Sequence, residues 1–404
     1  MTLRKRTLAF TAILPLVLAA CLNGGSEQAE KDAANDTAAP TPAPTGTPQG
    51  GTQTTPAAAI LRIDATAGGL GAKPEDPRNQ YTYLNLETGL LSLTDAEAAA
   101  STAWHIAFKR SNIKLNGGVS GPGGVKGALA DSQTEFYTAN GDPIASVFLN
   151  ATADNEKLGF DTVTGVDGLT FSTDRTIPAI TGDGGPNSWW SYNPAAFTVT
   201  AAPDNWWLVR SAGGDSYAKI HVTDIVQASR DITLELFIQG ADESVFSGTA
   251  TRWTANIGIG GGTQCYDFDG RSAVACTGGD WDIKVEVSGN GRAWNLWTNG
   301  GVAGGGNGGA FGVIAAADIA GYVSGTLTAA GQNIAALYMV DKAGGVFTEQ
   351  GWYAYSLQND NKLYPNYRVY AIDAGAAKYK LQILSYYNEA GTSAMYNVRY
   401  APLP

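Results

Sequence analysis

Trp104-His105-Ile106-Ala107-Phe108, followed by Asn116-Gly117-Gly118-Val119, decides how this chain is read, because both pieces occur twice. The second occurrence is Trp281-Asp282-Ile283-Lys284-Val285 with Asn299-Gly300-Gly301-Val302. Each pentapeptide has the period-two alternation of a strand, and each tetrapeptide opens a glycine-rich loop. A third match sets Trp189 to Tyr192, then Tyr217-Ala218-Lys219-Ile220-His221-Val222, against Trp352 to Tyr355, then Tyr379-Lys380-Leu381-Gln382-Ile383. Three landmarks kept in order are the signature of an internal repeat. Residues 59–245 and 246–404 are therefore expected to be two tandem copies of one domain, the second shorter in its middle.

Each copy also begins with a hairpin signal. Tyr81 to Leu86 leads through Glu87-Thr88-Gly89 to Leu90-Leu91, and Cys265 to Phe268 leads through Asp269-Gly270-Arg271 to Ala273-Val274. Only short helices are expected. One follows Thr94, where Glu97 completes a capping box ahead of an alanine run, and a second is placed at Ala315 to Ile319. With 51 glycines, 18 tyrosines and 10 tryptophans, the fold expected is all-β: two tandem antiparallel sandwich-like domains with few short helices. Two histidines exclude a histidine-cluster metal site, and a net charge of −11 repels a phosphate backbone, so nucleic acid is not an expected partner.

The first residues carry an address. Arg4, Lys5 and Arg6 precede an apolar stretch, Leu8 to Ala20, too short for a membrane span, which makes residues 1–20 an export signal. Leu18-Ala19-Ala20-Cys21 resembles the lipobox of bacterial lipoproteins, which implies lipidation of Cys21 and anchoring in a membrane. Leu22, where that family would carry aspartate for inner-membrane retention, implies the outer membrane of a Gram-negative cell. Residues 21–58 lack aromatics and are rich in Pro, Ala, Thr and Gly, so they read as a disordered tether.

The landmarks together resemble the HmuY family of bacterial haem-binding lipoproteins. The matching pieces are Tyr83-Leu84-Asn85-Leu86-Glu87-Thr88-Gly89, the run Trp104 to Arg110, both Asn-Gly-Gly loops, and the Trp/Tyr strand followed by a Lys-containing strand near the end of each copy. The resemblance implies a lipid-anchored, cell-surface β protein that captures haem and passes it to a TonB-dependent outer-membrane receptor. It implies binding and handover, not catalysis. The family's two histidine ligands lie between the loop and the Trp/Tyr strand. The corresponding stretches here, residues 128–188 and 313–351, hold no histidine. Met339 is the methionine in those stretches, and His105 and His221, on strand faces expected to point outward, are further candidate ligands; tyrosinate is a third kind, with 18 tyrosines and nothing in the sequence to select one.

Two further readings come from the residues themselves. Cys265 and Cys276, in an exported chain, are expected to form a disulfide across a hairpin centred between Gly270 and Arg271; a turn at Asp269-Gly270 would set Cys265 opposite Val274 instead and spoil the bond. The pairs Trp189-Trp190 and Trp206-Trp207, with Tyr192, are each expected to place one indole in the core and one on a surface able to stack on haem, another flat ligand or a sugar. That supports an alternative: a surface glycan- or protein-binding β module without haem. Asp267-Phe268-Asp269-Gly270 lacks the later ligands of a calcium loop, and Gly304 to Gly309 lacks the strand-to-helix context of a phosphate loop. No catalytic motif is present in the sequence, so no enzyme is expected.

Overall fold

Tyr217–Val226 alternates apolar and polar residues and its burial alternates with them, whereas Lys378–Tyr387 begins with the same alternation but is buried on both faces from Tyr379 to Leu384. They are the central strands of two sheets. The structure, a computed structural model, describes residues 58–67 and 80–404; the export signal, Cys21 and the tether through residue 57 lie outside the described residues.

Along the chain, β1 (Ala59–Asp64) is followed by β2 (Thr82–Asn85), β3 (Gly89–Leu91), β4 (Ile106–Lys109), β5 (Asn112–Leu115) and β6 (Lys126–Asp131). A long connection leads to β7 (Arg175–Ile177), the hairpin β8 (Trp190–Asn193) and β9 (Thr198–Ala201), then β10 (Asn205–Arg210), β11 (Tyr217–Val226) and β12 (Asp231–Gln239). The pattern restarts with β13 (Thr251–Asn256), β14 (Gly262–Asp267), β15 (Ser272–Val274), β16 (Ile283–Val287), β17 (Trp294–Thr298) and β18 (Gly309–Ala315). It closes with β19 (Lys342–Gly344), β20 (Tyr353–Tyr355), β21 (Leu363–Pro365), β22 (Val369–Asp373), β23 (Lys378–Tyr387) and β24 (Ser393–Leu403). The helices are short: α1 (Asp95–Ala100), α2 (Ala145–Asn150), α3 (Lys157–Thr162) and α4 (Val346–Glu349). α1 carries the expected capping box, Glu97 N–H donating to Thr94 Oγ1 at 3.2 Å and Thr94 N–H to Glu97 Oε2 at 2.8 Å. The helix expected at Ala315 to Ile319 is absent. β18 runs through Ala315 to complete the edge beside β10, leaving a single 3-10 turn at Ile319–Gly321.

The strands form two sandwiches of the same plan. The first packs the sheet β3-β2-β4-β5 on β1-β24-β23-β22-β6, and the second packs β15-β14-β16-β17 on β13-β12-β11-β10-β18. Leu84, Ile106 and Phe108 meet Tyr370, Leu381 and Tyr396 in the first core, while Ile283, Val285 and Leu296 meet Trp207, Ile220 and Leu234 in the second. Each such fully buried side chain contributes about 1.5–3 kcal/mol from removal of apolar surface.

The strand pairing does not divide at residues 245 and 246. β12 and β13, on the two sides of that boundary, are hydrogen-bonded neighbours. β1–β6 take their remaining strands from the end of the chain, β22–β24, and β13–β18 take theirs from before the boundary, β10–β12. The second sandwich is thus inserted in the first. A short link favours antiparallel pairing of the strands it joins, so residues 240–250 keep β13 beside β12 and oblige the earlier and later strands to exchange. The chain crosses between sandwiches twice, at β7 and β19, and the crossings pair with each other: Arg175 lies opposite Gly344 and Ile177 opposite Lys342.

Cys265 and Cys276 form the disulfide, with Cα atoms 5.3 Å apart. The hairpin register differs from the one that was expected to permit it, since Cys265 lies opposite Val274. Asp267 accepts the N–H groups of Asp269 and Gly270, and Arg271 takes a left-handed conformation, so the loop is Phe268 to Arg271. The bond forms nonetheless because β15 ends at Val274 and the chain, free of the ladder, turns Cys276 back over β14. Reduction is expected to lower stability by about 3 kcal/mol, the chain-entropy value for a loop of this size; equal urea midpoints for oxidised and reduced protein would contradict it.

Candidate functional site

The repeated Asn-Gly-Gly tetrapeptide is an anchored loop. Asn116 Nδ2 donates to the carbonyls of Ser101 (2.9 Å) and Trp104 (2.8 Å), and its Oδ1 accepts the N–H of Gly123 (3.0 Å). Asn299 does the same with Gly279 (2.9 Å), Trp281 (2.7 Å) and Gly306 (3.2 Å). Gly118 and Gly301 share a left-handed φ of 63°, and a Cβ on either would collide with the carbonyl oxygen of Asp174 or Asp341. Each asparagine is thereby tied to the main-chain carbonyl of the recurring tryptophan, Trp104 or Trp281, whose own side chain is buried.

Those two aspartates were not singled out in the sequence. Asp174 immediately precedes β7 and accepts from Leu115 N–H (2.9 Å) and Ser120 Oγ (2.7 Å). Asp341 immediately precedes β19 and accepts from Thr298 N–H (2.8 Å) and Ala179 N–H (2.7 Å). Asp282 similarly joins Ala212 N–H (2.7 Å) to Phe268 N–H (2.7 Å). The acid-then-base pattern, Asp174-Arg175 and Asp341-Lys342, was the available signal. Burial pushes all three carboxyls up to about 6, against the N–H donors that favour ionisation. The unfolded chain releases these protons near pH 4. Between about pH 4 and 6 the folded state therefore holds more protons, and the stability these groups contribute is lost as pH rises through 6. The thermal midpoint is expected to be higher at about pH 5 than at 7.5, each carboxyl contributing on the order of 2 kcal/mol; a midpoint rising over that range would contradict this.

The candidate iron ligands do not converge. His105 lies just before β4 in the first sandwich, half-buried rather than outward-facing, with Nδ1 accepting Leu86 N–H at 3.1 Å and its ring 6.1 Å from that of Tyr379. His221 is on β11 of the second sandwich, on the face shared with Lys219 and away from the core, as alternation requires. It is not exposed either. Trp206 stacks on its ring at 3.6 Å, Nδ1–H donates to the Pro203 carbonyl at 2.8 Å, and Nε2 sits 3.4 Å from Glu235 Oε2. Any metal reaching that nitrogen would have to displace Glu235. Met339 is half-buried at the edge of β18, its backbone paired with Ala310. Among the described residues no group of three or more His, Cys, Asp or Glu could hold a metal.

The tryptophan pairs also depart from expectation. Trp189 and Trp190 are both buried, since Trp189 precedes β8, where strand alternation does not hold, and Trp190 Nε1 donates to the Trp294 carbonyl at 3.3 Å. Trp207 is buried in the core and Trp206 lies half-buried on the opposite face, as alternation predicts for that pair. Tyr192, 46 % exposed, is the aromatic of this set that reaches the surface.

The face of each large sheet that points away from its core is covered by a connecting segment; in the second sandwich Ile334 and Tyr338 pack over Leu208, and Lys219 Nζ donates to the Tyr322 carbonyl at 3.3 Å. In the first sandwich, residues 132–173 cover that face. Lys380 Nζ donates to the Phe160 carbonyl at 2.6 Å, and Arg399, which donates to Gln382 Oε1 at 2.9 Å, also reaches the Ala153 carbonyl at 2.8 Å. Gln382 lies opposite Arg399 as His221 lies opposite Glu235, the same place in each sheet filled with different chemistry. Where α2 meets β21 and the end of β23, this cover leaves a cleft of about 280 Å³ walled by Phe148, Tyr364, Pro365, Tyr367, Leu384 and Tyr387. Tyr387 Oη accepts Leu363 N–H at 3.1 Å, and Tyr364 Oη donates to Asp360 Oδ2 at 2.5 Å. Burial holds the phenols of Tyr364 and Tyr367 protonated, up to about 12. Phe148, Tyr367 and Leu384 in that lining are themselves buried, Phe148 packed edge-on against Phe136 and Tyr137, and the lining offers no histidine, methionine or cysteine to an iron ion. The histidine, methionine and cysteine donors of haem ligation are thus not met there, and the ligand type that the lining does hold is tyrosine.

The family described as HmuY protein matches residues 78–236, the stretch from β2 to β12. No curated protein matches the chain. The matched stretch contributes β2–β6 to the first sandwich and β10–β12 to the second.

Proposed function

Since residues 78–236 match the family described as HmuY protein, we propose that the protein is an outer-membrane lipoprotein, anchored through Cys21, that captures haem or a similar planar metal-bearing ligand at the surface of a Gram-negative cell and hands it to a TonB-dependent receptor. It is a binding and delivery protein, not an enzyme. The observation that carries this reading is the family match together with an aromatic cleft on the covered face of the first sandwich. A haem titration followed by absorbance tests it: a saturable, shifted Soret band is expected, and its absence under both oxidising and reducing conditions would sink the proposal. Because His105, His221 and Met339 lie apart from the cleft, changing each singly to alanine is expected to leave haem affinity within about threefold. A loss of about a hundredfold for one of them would locate the ligand there instead.

The alternative, a glycan- or protein-binding module without haem, is favoured by one feature. The β8–β9 hairpin presents Tyr192 at 46 % and Phe197 at 73 % exposure, a surface for stacking or docking unconnected with the cleft. Retained partner capture by a protein unable to bind haem would favour it.

A further inference from the structure

We propose that one end of the second sandwich, made by the loops β8–β9, β11–β12, β13–β14 and β16–β17, is a lipid-facing surface whose tips enter the headgroup layer of an anionic membrane. This goes beyond the ligand-capture reading and rests neither on it nor on lipidation of Cys21.

The four loops are tied into one platform. Gln227 Oε1 accepts Val199 N–H at 2.9 Å and its Nε2 donates to the Phe197 carbonyl at 3.1 Å, which fixes the β8–β9 hairpin against the β11–β12 turn. Gly258 N–H donates to the Ser229 carbonyl at 3.1 Å, and Arg230 Nη1 and Nη2 donate to the carbonyls of Ser288 and Gly289, both at 3.0 Å. Three apolar side chains project from this platform: Phe197 and Ile259, each 73 % exposed, and Val226, 46 % exposed. Phe197 takes a left-handed φ of 55°, which asparagine or glycine adopts at less cost, so the turn itself gives no reason for an aromatic residue there. Tyr192, on β8 of the same hairpin and 46 % exposed, adds the amphipathic ring type that favours the headgroup layer.

Charge selects the occupant. Residues 193–197, 226–230, 257–261 and 288–292 contain no aspartate or glutamate and carry Arg230 and the exposed Arg292, in a chain of net charge −11. The nearest acids in sequence to the β11–β12 turn, Asp224 and Asp231, stand on the strands behind it. At the opposite end of the sandwich the loops hold Asp215, Asp242, Glu243 and Asp269. The chain therefore turns its acid-free end, and not the other, toward an anionic surface. Shape points the same way. Apolar side chains on separate loop tips make a convex end, for which a protein partner would need a fitted concavity of about 800 Å². The boundary between headgroups and acyl chains admits single projecting side chains without one.

The test places an environment-sensitive fluorophore on the full chain in a Cys21→Ser background, which removes any acyl anchor and the competing thiol. The probe sits at Ile259→Cys or, for comparison, at Ser244→Cys, exposed in the β12–β13 link at the far end. Attachment through residues 1–20 would affect both positions alike. On vesicles of phosphatidylcholine with phosphatidylglycerol, a blue shift and quenching by spin-labelled lipid are expected at position 259, exceeding those at 244 by about fivefold. Phe197→Asn, which eases the backbone, is expected to weaken vesicle binding about tenfold without lowering the urea midpoint. Equal quenching at the two positions, or a response at 259 that Phe197→Asn leaves unchanged, would overturn the proposal. A probe at 259 that responds to outer-membrane proteins in detergent but not to vesicles would assign this end to a protein and overturn the lipid reading; the haem titration is independent of every one of these outcomes.

Discussion

Cutting the chain between Gly248 and Thr249, at an inserted protease site, is expected to leave its two products together as one particle. Both residues are exposed in the link between β12 and β13, so the site is accessible and the core is untouched. Two tandem domains that each closed on themselves would part as soon as that link was cut. Here each sandwich is built from strands on both sides of the cut. β1 pairs with β24 from Ala59–Tyr400 to Asp64–Met395, β6 pairs with β22, and β10 pairs with β18. Separation would strip the apolar faces of four sheets at once, exposing Phe108, Leu115, Trp207 and Ile220 among others. At about 25 cal/mol per Å² of apolar surface, this exceeds the stability of an ordinary domain. Gel filtration of the cut protein should give the elution volume of the intact chain, with two bands appearing only under denaturing conditions. Elution as two smaller species would show that each half closes on its own strands.

Asn299→Ala is the second large effect expected, with a loss of about 3–4 kcal/mol. The side chain is buried and fills three hydrogen bonds, and removing it leaves the carbonyls of Gly279 and Trp281 and the N–H of Gly306 without that partner. Each buried group so orphaned costs about 1–3 kcal/mol, partly relieved where water enters. Asn116→Ala should cost a similar amount, since Asn116 is equally buried and bonded in the same pattern. Urea unfolding of the two variants measures this, and a shift under about 1 kcal/mol in either would show that the loop is held by its glycines and not by the asparagine. Gly301, with its left-handed φ and the Asp341 carbonyl against it, tolerates no side chain in the same loop.

These two predictions draw on different depths of information. The loop's recurrence was legible in advance, because the same tetrapeptide follows a tryptophan twice, whereas the asparagine's three hydrogen bonds were not. The buried aspartates were less legible. Their partners, Leu115 for Asp174 and Thr298 for Asp341, are 59 and 43 residues away, and no local pattern reports such a contact. The histidines show the limit of strand alternation. It placed His221 correctly on the face away from the core, yet could not reveal that Trp206 from the neighbouring strand covers it or that Glu235 and Pro203 occupy its nitrogens. The cleft was invisible for the same reason, since its walls come from residues 148 and 363–387.

By itself the sequence determined the all-β class, the recurring tryptophan and Asn-Gly-Gly landmarks, the capped helix at Thr94, the cysteine pair and the family resemblance. All of these depend on residues close together in the chain or on a pattern that recurs. Only the tertiary structure decided which strands close which sandwich. Both β10–β12 and β22–β24 turn apolar residues toward a sandwich core, so periodicity cannot choose which of them closes on β1–β6. The choice is made by the short link that holds β13 against β12, and by the paired crossings at β7 and β19 that carry the chain from one sandwich to the other.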